Sequence, residues 1–342
     1  MATYTSSGSA TLRAYGAREA SGVVIATSGL TKDYGSGRGL FDLTFGVEQG
    51  EVFGFLGPNG AGKSTTLRLL LGLIRPSAGS ARVLGLDVVT QSLDVRRRVG
   101  FLPGDLAMYP RLTGKQMLDH LATLRGDVDQ HYRESLIDRF NADVDRPVRE
   151  LSTGNRQKLG LIQAFMHRPE LLILDEPIAG LDPLVQQSFH QLLAEVSGAG
   201  ASVLLSSHTL SEVERVTHRL AILRRGRLVV VDTIENLRRV ATQQLEIEFA
   251  APVNPEEFLA LPAVSAAVVT GSTLQVSFEG SADRVIKLAA HHEVRAVRPR
   301  EDDLEEIFLR YYRGQPASNE LPSSATESTQ RESTESEASE PA

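Results

Sequence analysis

The chain has 342 residues, 41% of them apolar and 23% charged, enough to bury a sizeable core under a soluble surface. Formal net charge is −7 and cysteine is absent, which removes any disulfide framework, any cysteine nucleophile and any thiolate-based zinc or iron–sulfur site. At roughly 100–200 residues per domain the length allows two domains and a tail.

Residues 1–22 mix Ser, Thr and Gly with Arg13 and Arg18 and lack an apolar block of signal-peptide type, so they read as a disordered leader. Glu51 to Leu56 is a short apolar run that meets the glycine cluster Gly57, Gly60 and Gly62, and from Ser64 to Ile74 apolar residues recur at helical spacing. Strand, glycine-rich loop and helix therefore follow in order. Between Leu112 and His167 the pattern is mostly helical, with helices predicted over Lys115–Arg125, Gln130–Asn141 and Asn155–His167. Leu171–Leu174 ends in Asp175 and Glu176, and Ala201–Leu205 ends in Ser206, Ser207 and His208. Both are buried-strand patterns with polar residues at the carboxyl end, where doubly wound α/β sheets place their ligands.

A second unit begins near Gln243. It reads as strand (Leu245–Phe249), helix (Pro255–Leu261), strand (Ala263–Thr270), strand (Thr273–Phe278), helix (Ala282–His291), strand (Val294–Val297) and a closing helix (Asp303–Tyr312). That order is the split β-α-β-β-α-β arrangement of ferredoxin-like folds. The uncharged stretch Phe258–Phe278 is interrupted by Pro262 and Gly271 and reads as strands and a turn, not a membrane span. From Gln315 to Ala342 there are seven Ser, three Thr and six Glu against one Arg, a composition that cannot repay the entropy of ordering. The rest of the chain is thereby near neutral, with no basic excess that would favour nucleic acid.

Gly57-Pro58-Asn59-Gly60-Ala61-Gly62-Lys63-Ser64 matches the phosphate-loop pattern G-x-x-x-x-G-K-[ST] between a predicted strand and a predicted helix. Its glycines let successive N–H groups turn toward phosphate oxygens at a helix N-terminus. Lys63 would reach the β- and γ-phosphates, and the Ser64 hydroxyl would ligate Mg²⁺. Of the carboxylates closing the strand at 171–174, one can hold the metal while the next takes a proton from an attacking water; taken without the phosphate loop, the same pair would read as a helix cap.

The order GPNGAGKST (Gly57–Thr65), LSTGN (Leu151–Asn155), LLILDEP (Leu171–Pro177), GLD (Gly180–Asp182) and SSH (Ser206–His208) resembles the nucleotide-binding subunit of ABC transporters over roughly residues 23–235. The C-terminal unit, ending in DLEEIFLRYY (Asp303–Tyr312), resembles the extension on drug- and polysaccharide-exporter ATPases. The resemblance implies an α/β P-loop NTPase core with a helical subdomain over 23–240, a small α+β ferredoxin-like domain over 243–314, and a disordered acidic tail over 315–342. It implies that ATP and Mg²⁺ are bound, with Gly57, Pro58, Asn59, Gly60, Ala61, Gly62, Lys63, Ser64 and Thr65 around the phosphates, Asp175 as the metal carboxylate and Glu176 as the general base. His208 would contact the γ-phosphate and orient the water, and Tyr34 would stack on adenine or else be a packing tyrosine. Ser152, Gly154 and the helix behind them would bind the γ-phosphate held by a second subunit, and Asp182 would lie across that interface. Thr153 and Asn155 depart from the usual LSGGQ. Where the family carries a metal-touching Gln this chain has Gly104; Asp105 could take over that contact or be a plain loop acid. The implied whole is a peripheral ATPase subunit, working as a homodimer on the cytoplasmic face of the plasma membrane and driving export through a separate integral membrane permease. The alternative is a soluble ABC ATPase acting on ribosomes or DNA, which the single phosphate loop, the missing heptads and cysteines, and the near-neutral body disfavour.

Overall fold

The computed structural model describes residues 22–300, apart from 127, 241, 242 and 279. The leader to residue 21, the closing helix over 303–312 and the tail over 315–342 lie outside the described residues. In chain order the first half contains β1 (Val23–Asp33), β2 (Gly39–Leu43), β3 (Gly46–Glu48), β4 (Val52–Leu56), α1 (Lys63–Leu70), β5 (Ala78–Val83), β6 (Leu86–Asp87), α2 (Ser92–Arg98) and β7 (Val99–Leu102). There follow α3 (Gly114–Arg125), α4 (Gln130–Phe140), α5 (Thr153–Phe165), β8 (Leu171–Asp175), α6 (Pro183–Gly198), β9 (Ser202–Ser207), α7 (Leu210–Glu214), β10 (Arg219–Arg224), β11 (Arg227–Thr233) and α8 (Ile234–Val240). The chain then forms β12 (Gln243–Phe249), α9 (Pro255–Leu259), β13 (Val264–Thr270), β14 (Thr273–Phe278), α10 (Asp283–Ala289) and β15 (Val294–Arg300).

The central sheet has strand order β11-β10-β4-β9-β8-β7, with every pair parallel except the antiparallel edge β11. All five residues of β4 and of β8 are buried, and all six of β9. Such runs are dictated by cover on both faces. Leu172, Leu174 and Leu205 face one core with α5 and α6, while Phe53, Phe55, Ile173 and Leu204 face another with α1 and the first antiparallel sheet. The Phe45, Phe53 and Phe55 rings cluster there with centroids 4.9–6.0 Å apart. Replacing one by alanine would cost about 3–5 kcal/mol.

That first antiparallel sheet (β2-β1-β5-β6, with β3 also on β1) went unmarked in the sequence reading. The helix after the phosphate loop stops at Leu70, earlier than the apolar run to Ile74, because Gly72 takes a left-handed φ of 61°. Caps set the helices of the segment between β7 and β8. Thr113 and Gln116 form a reciprocal capping box on α3, Asp129 caps α4, and Ser152 caps α5. Helix α5 starts at Thr153, ahead of the expected Asn155, because Ser152 supplies that cap.

The last six elements build an antiparallel sheet in the order β13-β14-β12-β15. Ile247, Phe249, Leu274, Val276 and Phe278 share one face with Phe258 of α9 and Val285 of α10. Their partners on the opposite face, such as Glu246, Glu248 and Gln275, give the alternation of a sheet covered on one side. Among the described residues no helix is long and apolar enough to cross a membrane.

Candidate active site

The parallel register brings the carboxyl ends of neighbouring strands level: Leu56 of β4 pairs with Ser207 of β9, and Ser206 of β9 pairs with Asp175 of β8. Three chain segments far apart in sequence therefore converge at one edge of the sheet. There the segments after β4 and β8, with Tyr34, Gly39 and Gly104, line a cavity of about 310 Å³.

The phosphate loop is shaped by close approach. A Cβ on Gly57 would come within 2.6 Å of the Leu223 carbonyl oxygen, and Gly62 has φ 112° at the N-terminus of α1. Pro58, Asn59, Gly60, Gly62, Lys63, Ser64 and Thr65 all line the cavity, whereas Ala61 is buried behind it. Free N–H groups at a helix N-terminus make this an anion site.

Lys63 is buried, with Nζ donating to the Gly57 carbonyl at 2.5 Å and lying 3.3 Å from Glu176 Oε1. Glu176 Oε2 is 2.9 Å from His208 Nδ1. Lysine, glutamate and histidine thus form one continuous polar chain across three loops. Glu176 has a left-handed φ of 51°, costly for a residue with a side chain. Its peptide is held on both sides: its N–H donates to the Ser206 carbonyl, and its own carbonyl accepts from Gln157 Nε2, each at 3.2 Å. Gln157 also donates to the Pro177 carbonyl at 3.0 Å.

The remaining expected residues divide into two groups. Tyr34 lines the cavity, half exposed, with Lys32 Nζ 5.6 Å from its ring centroid. Gly104 lines it too, close enough to Asp175 that a Cβ would sit 3.1 Å from Oδ2. Asp105 is exposed and is not among the lining residues. Ser152, Gly154 and Asp182 lie outside this cavity as well. Ser152 accepts from the Asn155 amide at 3.1 Å, and Asp182 caps α6 by accepting from Val185 at 3.0 Å. Asn155, at the place of the usual Gln, turns inward and clamps Asp143 through both backbone groups, at 2.7 and 2.8 Å.

Sequence reasoning missed Gln157. Its signal was a polar side chain on the buried face of α5, five residues past the cap.

The ABC transporter family pattern matches residues 40–179. The chain is 32% identical to the daunorubicin/doxorubicin resistance ATP-binding protein DrrA of Streptomyces peucetius over 318 residues, 89% of this chain and 96% of that one. It belongs to the ABC transporter ATP-binding proteins. The bacitracin transport ATP-binding protein BcrA of Bacillus licheniformis is 33% identical over 230 residues, 66% of this chain and 75% of that one. A solved ATP-binding subunit of an ABC transporter superposes with a TM-score of 0.59 at 31% identity, covering 63% of this chain and 92% of its own. As an ABC ATPase, the chain binds and hydrolyses ATP.

Proposed function

We propose that this ABC ATPase drives export through a separate integral membrane permease, as a homodimer held at the cytoplasmic face of the plasma membrane. The observation that carries the catalytic part is the chain Lys63–Glu176–His208 beside the phosphate loop. In this reading the loop amides and Lys63 hold the phosphates. Glu176 takes a proton from the attacking water while the water oxygen bonds to the γ-phosphorus and the bond to ADP breaks, and His208 fixes the Glu176 carboxylate. Ser64 and Asp175 present a hydroxyl and a carboxylate to the same cavity, an oxygen set suited to Mg²⁺. Among the described residues no cluster of three His, Cys, Asp or Glu competes for a metal, so nucleotide phosphates and water would complete its shell. When bound, the ion would neutralise charge on the phosphates. Asp105 is assigned no contact here, because Gly104 is the residue that meets the cavity.

Ser152 and Gly154 at the start of α5 and Asp182 at the cap of α6 lie outside their own subunit's cavity, a placement that supports a dimer in which they close the partner's site. The near full-length similarity to a drug-resistance ATP-binding protein supports export. This reading divides the chain into a leader (1–22), the ATPase (23–240), the small α+β unit (243–314) and the acidic tail (315–342).

The test is affinity capture of Glu176→Gln with MgATP from gently solubilised cells, which should retain a stoichiometric multi-helix membrane protein. Ribosomal or DNA-bound partners in its place would overturn the transport assignment and leave the ATPase standing.

A further inference from the structure

Among the described residues, Ser206 is the one hydroxyl hydrogen-bonded to both members of the Asp175–Glu176 pair. It is fully buried at the end of β9, directly across from Asp175 in the parallel register. Its Oγ donates to Asp175 Oδ1 at 2.5 Å and accepts from the Glu176 N–H at 3.2 Å. A serine hydroxyl has one proton, and these two bonds use it consistently, since the donor bond goes to the carboxylate and a lone pair receives the amide.

The other oxygen of Asp175 is left clear. Oδ2 faces Gly104, whose missing side chain leaves room beside it, and both residues line the cavity. The carboxylate is thus pinned by one oxygen and open by the other. The same hydroxyl helps hold Glu176 in the strained φ that points its side chain toward Lys63 and His208.

The structure assigns Ser206 as the positioning residue of this site: through one hydroxyl it orients the metal-binding carboxylate and the neighbouring general base together. This rests on the reading of Asp175 as metal carboxylate and Glu176 as base. Outer partners of metal-binding groups characteristically tune metal affinity by about 10–100-fold. With Gly104 unable to contribute a ligand, the geometry of Asp175 matters more.

The experiment uses the full-length chain and three readouts: ATP affinity in EDTA, affinity of the ATP complex for Mn²⁺ by electron paramagnetic resonance, and turnover. Ser206→Ala should leave metal-free ATP affinity unchanged, weaken Mn²⁺ binding by about 10–100-fold, and lower kcat. Ser206→Thr, which keeps the hydroxyl, should restore Mn²⁺ affinity. Wild-type Mn²⁺ affinity in Ser206→Ala would overturn the assignment, and so would an equal loss of metal-free ATP affinity, which marks a general structural defect. Asp175→Asn separates the two levels of inference. If it binds Mn²⁺ normally, the reading of Asp175 itself fails; if it loses Mn²⁺ while Ser206→Ala does not, only the role of Ser206 fails.

Discussion

The central and the C-terminal sheets of this protein treat their polar residues in opposite ways. In the central parallel sheet β4, β8 and β9 are buried along their whole length, so polarity is expelled to the strand ends, where Asp175, Ser206 and Ser207 sit beside the phosphate loop. In the C-terminal antiparallel sheet polarity is spent along the strands, on a face carrying Glu246, Glu248, Gln275 and Arg298. The first arrangement concentrates chemistry at one edge; the second spreads solubility over a surface. A sheet covered on both faces is thereby predisposed to carry a site, and a half-covered one to act as a module.

The sharpest way to test that contrast is at the strand end. Glu176→Gln should lower ATP turnover by about 10²–10⁴-fold while retaining ATP binding, measured by steady-state phosphate release and equilibrium nucleotide titration. Near-normal turnover would remove Glu176 as the base. In the C-terminal unit, Phe258→Ala empties a fully buried position against Phe249 and should cost about 3–5 kcal/mol of local stability. Hydrogen exchange should rise over residues 243–300 while ATPase activity holds; a matching loss of activity would show that the two sheets are not independent.

A smaller effect is expected from pH. His167 lies just past the end of α5, and burial together with the nearby Arg125 lowers its pKa from 6.5 to about 4. The unfolded chain takes up this proton near pH 6.5 and the folded chain refuses it until about pH 4. Stability is therefore full above pH 6.5 and declines as pH falls toward 4. Urea midpoints at pH 7 and pH 5 should differ less for His167→Gln than for the wild type. The smallest effect is expected from deletion of residues 315–342, which should leave the ATPase rate unchanged.

Much of the catalytic edge was legible because its motifs are local. The phosphate loop needs a strand, glycines and a helix in immediate succession, and Leu171–Leu174 announces its own buried strand before Asp175. The six-element order after residue 243 was legible for the same reason, since its alternation and turn signals lie within short windows. The first antiparallel sheet was not, because β1 is recognised only by pairing with β2, β3 and β5. Ser206 and Gln157 were hidden in a similar way. Their partners are 31 and 19 or 20 residues distant, and nothing in a strand end or a helix face says which loop will arrive there. Asn155 looked like a weakened signature residue, yet its amide is occupied with the backbone of Asp143.

Gly154 also has a close contact within its own subunit. A Cβ there would stand 2.7 Å from the carbonyl oxygen of Gly180, two residues before the cap of α6. The start of α5 and the turn leading into α6 are therefore in flush contact, like two plates with no gasket between them. Any side chain at position 154 would act as a wedge, and it would displace Ser152 and Asp182 together. Whatever surface meets those two residues would then sense one rigid jaw instead of two separate loops.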